Sequence, residues 1–243
     1  MGKPVLTNAP PVLEEGLRIY AVGDIHGRAD LLRRLLLRID QDLEENPAAR
    51  TLHVFLGDYI DRGQDSAGVL DLLIERSQAF PAVCLKGNHE AFLLEFLRNP
   101  RILRLWAPNG GLATLASYGL KPPLHPAAGE EEKLVADLRA AMPERHSQFL
   151  AGLELSFTCG DYFFAHAGVR PGTPLSCQRQ EDLLWIRDDF LQHQEPFEKI
   201  IVHGHTPVME PEVRPNRINI DTGAYATGRL TCLRLERDKI EFL

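Results

Sequence analysis

Basic residues are outnumbered in this chain: 27 Lys and Arg stand against 34 Asp and Glu, a net charge of −7. Broad electrostatic binding to nucleic acid or to an anionic membrane is thereby excluded, and any phosphate recognition has to be local. Cysteine is scarce. Cys84, Cys159, Cys177 and Cys232 are scattered and form no C-x-x-C pair, so they suit neither a thiolate zinc site nor a disulfide framework and read as structural thiols. No apolar run approaches the roughly 18 residues of a membrane helix. The opening residues 1–16 lack a basic segment followed by an apolar stretch, and Leu6 stands where myristoylation at Gly2 requires Ser or Thr. A soluble protein of the cytoplasm is expected, with no internal repeat and no linker long enough to divide it.

What is present is a globular composition. Hydrophobic residues make up 44% and charged residues 25% of 243, which excludes a disordered chain and fits one domain, residues 1–243. Leu17–Val22 is a β-rich run that stops at Gly23-Asp24-Ile25-His26-Gly27. A helical pattern follows over Ala29–Glu45, with Leu31, Leu32, Leu35, Leu36 and Leu43 on one stripe and Arg33, Arg34 and Arg38 on its solvated face. The same grammar recurs: an apolar run at 51–56, a polar loop at 57–63, and a helix at 66–76 with Asp65 as its N-cap. A third unit has a short buried strand at 82–85, a loop at 86–90 and a helix from 91. Such alternation predicts a mainly parallel sheet with helical crossovers. Residues 99–150 read as a helical insertion and a wall over the site. Strands expected at 154–158, 162–165, 200–202, 218–220, 230–235 and 239–242 follow with few helices between them, which predicts hairpins and a second, mixed sheet packed on the first. The fold class is an α/β sandwich.

Five of these segments end in a small residue followed by metal-competent side chains: Asp24 and His26, Asp58, Asn88, His166, and the pair His203 and His205. Ligands of open α/β sheets sit beyond the carboxyl ends of the strands, so these loops are expected to share one crevice. Asp24 and His26, two apart, point the same way if the segment is extended. One carboxylate such as Asp58 has two oxygens with which to bridge two ions. Oxygen and imidazole donors without thiolate suit Mn, Fe or Zn. Each piece alone is weak, but the five fixed positions of G-D-x-x-D-R-G from Gly57 to Gly63 arise by chance in roughly one chain in several thousand of this length.

In that order, G-D-I-H-G, G-D-Y-I-D-R-G, G-N-H-E, H-A-G and H-G-H-T resemble the phosphoprotein phosphatase family of calcineurin-like metallophosphoesterases, most of all the compact bacterial and phage lambda type of serine/threonine protein phosphatase. The resemblance spans residues 18–235, including L-W-I-R at Arg187 and I-D-T-G-A at Asp221. It implies a β-sandwich of two mixed sheets flanked by helices, in the order α/β/β/α. It also implies two divalent metal ions, manganese first, with iron, zinc or magnesium as alternatives. Asp24, His26 and Asp58 would hold one ion, and Asp58, Asn88, His166 and His205 the other. Arg62 and Arg187 would bind phosphate oxygens, and His89 with Asp61 would form the acid and its orienting carboxylate. Lys86 replaces the Arg that relatives often carry before G-N-H-E; it keeps the charge and loses the planar fork.

The implied activity is hydrolysis of phosphomonoesters by a metal-activated water, with phosphorylated proteins or peptides as substrates, phosphoserine and phosphothreonine first and phosphotyrosine in addition. Asp61 and Glu90 favour that side over a symmetrical dinucleoside tetraphosphatase, the main alternative; a small-molecule phosphatase and an inactive binding module are the others. No nucleic-acid or membrane partner is expected. His53, His125, His146 and His193 lie outside the motifs and read as structural or solvated. His203 stays off the ligand set, because the resemblance places the ligand at the His preceding Thr206.

Overall fold

Alternation along the first strand decides the layering. In β1 (Leu17–Val22), Ile19 and Ala21 enter one apolar core while Tyr20 and Val22 enter another. The computed structural model describes residues 11–123 and 129–243, so Gly2, Leu6 and His125 fall outside the described residues. β1 pairs in parallel with β2 (Arg50–Phe55), and β2 with β3 (Ala82–Cys84). A second sheet runs β4 (Ser156–Cys159), β5 (Tyr162–Ala165), β6 (Ile200–His203), then β8 (Arg217–Asn219) and β7 (Glu212–Val213), with β5, β6 and β8 mutually parallel.

Three cores define four layers. The middle one, with Ile19, Val54, Phe164, Val202 and Ile218, joins the two sheets. An outer core packs the first sheet under α1 (Ala29–Glu45), α2 (Ser66–Ala79) and α3 (Asn88–Phe96). The other covers the second sheet with Leu183 of α8 (Gln180–Trp185) and Phe190 of α9 (Asp188–Leu191). Between these come α4 (Leu103–Trp106), α5 (Gly111–Ser117), α6 (Glu130–Ala141) and α7 (Glu144–Ala151), whose apolar residues join the first outer core. The result is the α/β/β/α sandwich of two mixed sheets. Each fully buried Leu, Ile or Phe contributes about 1.5–3 kcal/mol relative to exposure, which is the reserve that strained loops draw on.

Three expectations need correction, and one strand was not expected. The strands near 230–235 and 239–242 do not join the second sheet. They form a hairpin, β9 (Cys232–Glu236) and β10 (Lys239–Phe242), whose first strand runs antiparallel to β1 and so makes the first sheet mixed. Partner choice is a long-range packing outcome that a local hydrophobic pattern does not encode. The 86–90 segment is not a loop throughout: α3 already starts at Asn88, because Glu90 reaches back to accept the Gly87 N–H at 2.9 Å. β3 is half-buried, since it is an edge strand. β7, two residues beside Pro211, has no periodicity to be seen.

The histidines outside the motifs are structural where described. His53 is buried against Arg76, and burial, with Arg76's charge, pushes it down to about 3. His146 is buried between Tyr118 and Asp71, at 2.7 and 2.8 Å, and His193 packs on Phe197. All four cysteines are free thiols. Among the described residues no helix is long and apolar enough to cross a membrane.

Candidate functional site

Every parallel strand hands its chain to the same edge: β1 to Asp24 and His26, β2 to Asp58, β3 to Asn88 and His89, β5 to His166, β6 to His205 and β8 to Asp221. The loops there are strained. Six non-glycine residues among the described ones have positive φ, and five of them are His26, Asp58, Asp61, Arg62 and His205. Left-handed backbone costs of order 1–3 kcal/mol at such a residue and persists only where the surroundings enforce it. Here it aims functional side chains inwards. Gly87 is required by proximity, because a Cβ there would stand 2.1 Å from Asp58 Oδ1.

Two groups of ligand atoms converge on Asp58. One joins His26 and His89, and the other joins His166 and His205. The carboxylate divides between them: Oδ2 lies 3.5 Å from His26 Nε2 and 3.7 Å from His89 Nε2, while Oδ1 lies 3.4 Å from His166 Nε2. Backbone carbonyls set the tautomers. His26 Nδ1 donates to Ile60 O and His166 Nδ1 to Leu56 O, both at 2.9 Å, which turns each Nε2 lone pair to the centre. Asn88 Oδ1 stands 2.9 Å from both His166 Nε2 and His205 Nδ1, and His205 Nε2 is buried without a hydrogen-bond partner. Converging acceptors and an unpartnered buried nitrogen form a donor set that fits divalent cations.

The imidazoles divide into two kinds. Burial above all pushes His26 down to about 3 and His205 to about 2, and lowers His166, so all three stay neutral, the form that ligates metal. His89 goes the other way. Burial opposes its charged form, but Asp58's charge and the hydrogen bond to Asp61 outweigh burial and raise it above the ordinary histidine value. Its Nδ1 donates to Asp61 Oδ2 at 2.6 Å.

Asp24 is not in either group. The expectation of an extended Asp24-x-His26 segment fails because His26 turns into the left-handed region at φ 48°. Asp24 instead accepts the His205 N–H at 3.1 Å and lies within hydrogen-bonding reach of Asp221. Burial, then the charges of Asp221 and Asp58, raise Asp24 well above the carboxylate range; burial takes Asp221 up to about 6. Arg62 is central: Nη1 contacts His26 Nε2 at 2.8 Å and Nη2 contacts His89 Nε2 at 3.1 Å. Arg187 bonds Thr206 Oγ1 at 3.2 Å, near enough that its charge adds to the lowering of His166 and His205. The Lys86 ammonium makes no hydrogen bond or ion pair with a described residue, so nothing ties it to the centre. His203 ends inside β6, buried edge-on to Phe190 at 4.9 Å and outside both ligand groups.

Of the further contributors, Trp106 and Thr114 carry no sequence signal, whereas Glu90 and Trp185 lie in motifs. Trp106 Nε1 and Thr114 Oγ1 donate to Asp61 at 2.6 and 2.5 Å, so the helical segment supports the carboxylate of the site. Trp185 and Tyr225, 41% and 40% exposed, flank the centre, with rings 6.3 Å from His205 and 5.4 Å from His26. Glu90, buried, accepts amides of Asp58, Tyr59, Ile60 and Gly87 at 2.8–3.3 Å. Glu90→Gln puts an NH2 among those donors, and a loss of about 2–4 kcal/mol is expected in urea unfolding. A change within about 0.5 kcal/mol, the range of an ordinary surface substitution, would show that Glu90 does not hold the loop.

Strand-end carboxylates, neutral imidazoles and arginines gathered in one basin define a metal-dependent hydrolase of phosphate esters. Residues 17–238 match the calcineurin-like phosphoesterase family, and the chain belongs to it. It is 29% identical over 234 residues to the asymmetrical bis(5'-nucleosyl)-tetraphosphatase PrpE of Anoxybacillus flavithermus, covering 88% of each chain. It is also 29% identical over 223 residues to serine/threonine-protein phosphatase 1 of Salmonella typhimurium, covering 90% of this chain and 92% of that one. Among solved structures, one provisionally assigned as a diadenosine tetraphosphatase superposes with a TM-score of 0.63 at 20% identity, over 98% of this chain and 95% of that one, a likeness of fold.

Proposed function

We propose that this protein removes phosphate from serine and threonine side chains of proteins, and from tyrosine in addition. The observation that carries the reading is the His89–Asp61 pair, the one imidazole of the centre whose surroundings raise rather than lower its hold on a proton, with its carboxylate fixed by Trp106 and Thr114. A serine or threonine alkoxide needs a proton as it leaves, whereas a polyphosphate leaving group does not, so a supported acid is matched to phosphomonoesters. His26, Asp24 and Asp58 would hold one divalent cation, and Asp58, Asn88, His166 and His205 a second; manganese suits these donors, and iron, zinc and magnesium are the alternatives. When bound, such a pair supplies hydroxide from water near neutral pH and offsets phosphoryl charge. Arg62 and Arg187 hold the phosphate oxygens.

Dinucleoside tetraphosphate hydrolysis is the second reading. It is favoured by the relatives with that name, which carry the asymmetrical rather than the symmetrical designation, and by Trp185 and Tyr225, two exposed rings suited to flat bases. Turnover of a phosphoserine peptide and of diadenosine tetraphosphate by manganese-loaded protein separates them. The expected result is a kcat/KM about tenfold or more in favour of the peptide. The reverse order would give the second reading its place.

A further inference from the structure

On the His26 side of the centre lies a cavity of about 490 Å³, between the start of α1 and the loop ahead of α2. Arg28, Arg33, Arg62 and Tyr225 line it, and its acids are Asp30 and Asp65. Both acids are engaged. Asp30 takes Arg28 on both oxygens at 2.8 Å and Arg34 at 3.1 Å, and Asp65 caps α2 through the Gly68 N–H at 2.8 Å. Arg33 is exposed, and unlike Arg28 and Arg34 its guanidinium has no hydrogen bond or ion pair to a described residue. Arg62 is the wall shared with the centre. Its guanidinium touches His26 and His89, and its carbon lies 4.7 Å over the Tyr225 ring.

We propose that this cavity is a second anion subsite, which takes a further phosphate group carried by the same substrate whose first phosphate sits at the metal centre. Arginines outnumber acids in its walls, and a free guanidinium presents the planar fork that matches phosphate oxygens. Because Arg62 borders both spaces, one extended molecule with two or more phosphates spans them, while a monophosphate fills only the centre. The second phosphate has two chemical sources, the polyphosphate chain of a nucleotide and a neighbouring phosphoserine of a peptide. The inference rests on the centre being a phosphate-ester hydrolase.

Arg33→Ala is the test, since Arg33 is exposed and its loss leaves the fold alone. Calorimetric titration of the metal-loaded protein with inorganic tripolyphosphate and with orthophosphate, at matched free manganese, reads binding without turnover. Tripolyphosphate is expected to weaken about tenfold, and at least about five times more than orthophosphate. Equal effects on the two, or none on tripolyphosphate, would overturn the subsite. Kinetics then name the source: kcat/KM of the variant is compared on diadenosine tetraphosphate and on a doubly phosphorylated peptide, each against 4-nitrophenyl phosphate. Selective loss on either identifies that source, and selective loss on neither counts against the proposal. Wild-type protein that binds tripolyphosphate through Arg33 but hydrolyses no phosphate ester would remove the reading of the centre and keep the subsite.

Discussion

Asp58→Asn is expected to abolish metal binding and hydrolysis together, with activity falling by about a thousandfold or more, the scale of several kcal/mol of lost charge stabilisation. The two oxygens of Asp58 face different ligand groups, so a neutral amide with one acceptor oxygen serves at most one of them. The change also removes the charge that raises His89. Metal content, read by elemental analysis on folded protein, is expected to drop from two ions per chain to less than one. An Asp58→Asn protein with full activity would refute the bridging role.

The second large effect belongs to His89. His89→Asn is expected to lower hydrolysis of a phosphoserine peptide by about 10²–10⁴-fold, the range of general acid catalysis. The same variant is expected to lose only about tenfold on 4-nitrophenyl phosphate, whose leaving group needs little protonation. Nδ1 of His89 is tied to Asp61, so the Nε2 side that faces Asp58 and Arg62 is where a proton is handed over. Equal losses on both substrates would give His89 a place among the ligands, where its distance to Asp58 also permits it to act.

The fold and the centre were legible to different depths. β1, α1, β5 and β10 fall at the residues that period and turn chemistry mark, because each carries a full local signal: an alternating or leucine-striped run, closed by Gly, Pro or a polar loop. Pairing of β9 with β1 was hidden, since it is set by the core shared between Leu233, Leu235 and Ile19 rather than by either strand alone. In the site, the strand-end motifs identify His26, Asp58, Asn88, His166 and His205 as neighbours because the parallel strands deliver them to one edge. The supports were not visible. Trp106 and Thr114 lie 45 and 53 residues beyond Asp61 in a segment without catalytic spacing. Asp221's partnership with Asp24 likewise depends on how the end of β8 meets the end of β1 in the other sheet. Local pattern marks ligands better than the residues that hold them.

The central claim is that Asp58 joins two cation sites, and the anomalous scattering of manganese in crystals of the loaded protein tests it most directly. The account predicts two peaks per chain, one beside His26 and one between Asn88, His166 and His205, with Asp58 touching both. A single peak, or peaks away from Asp58, would contradict it.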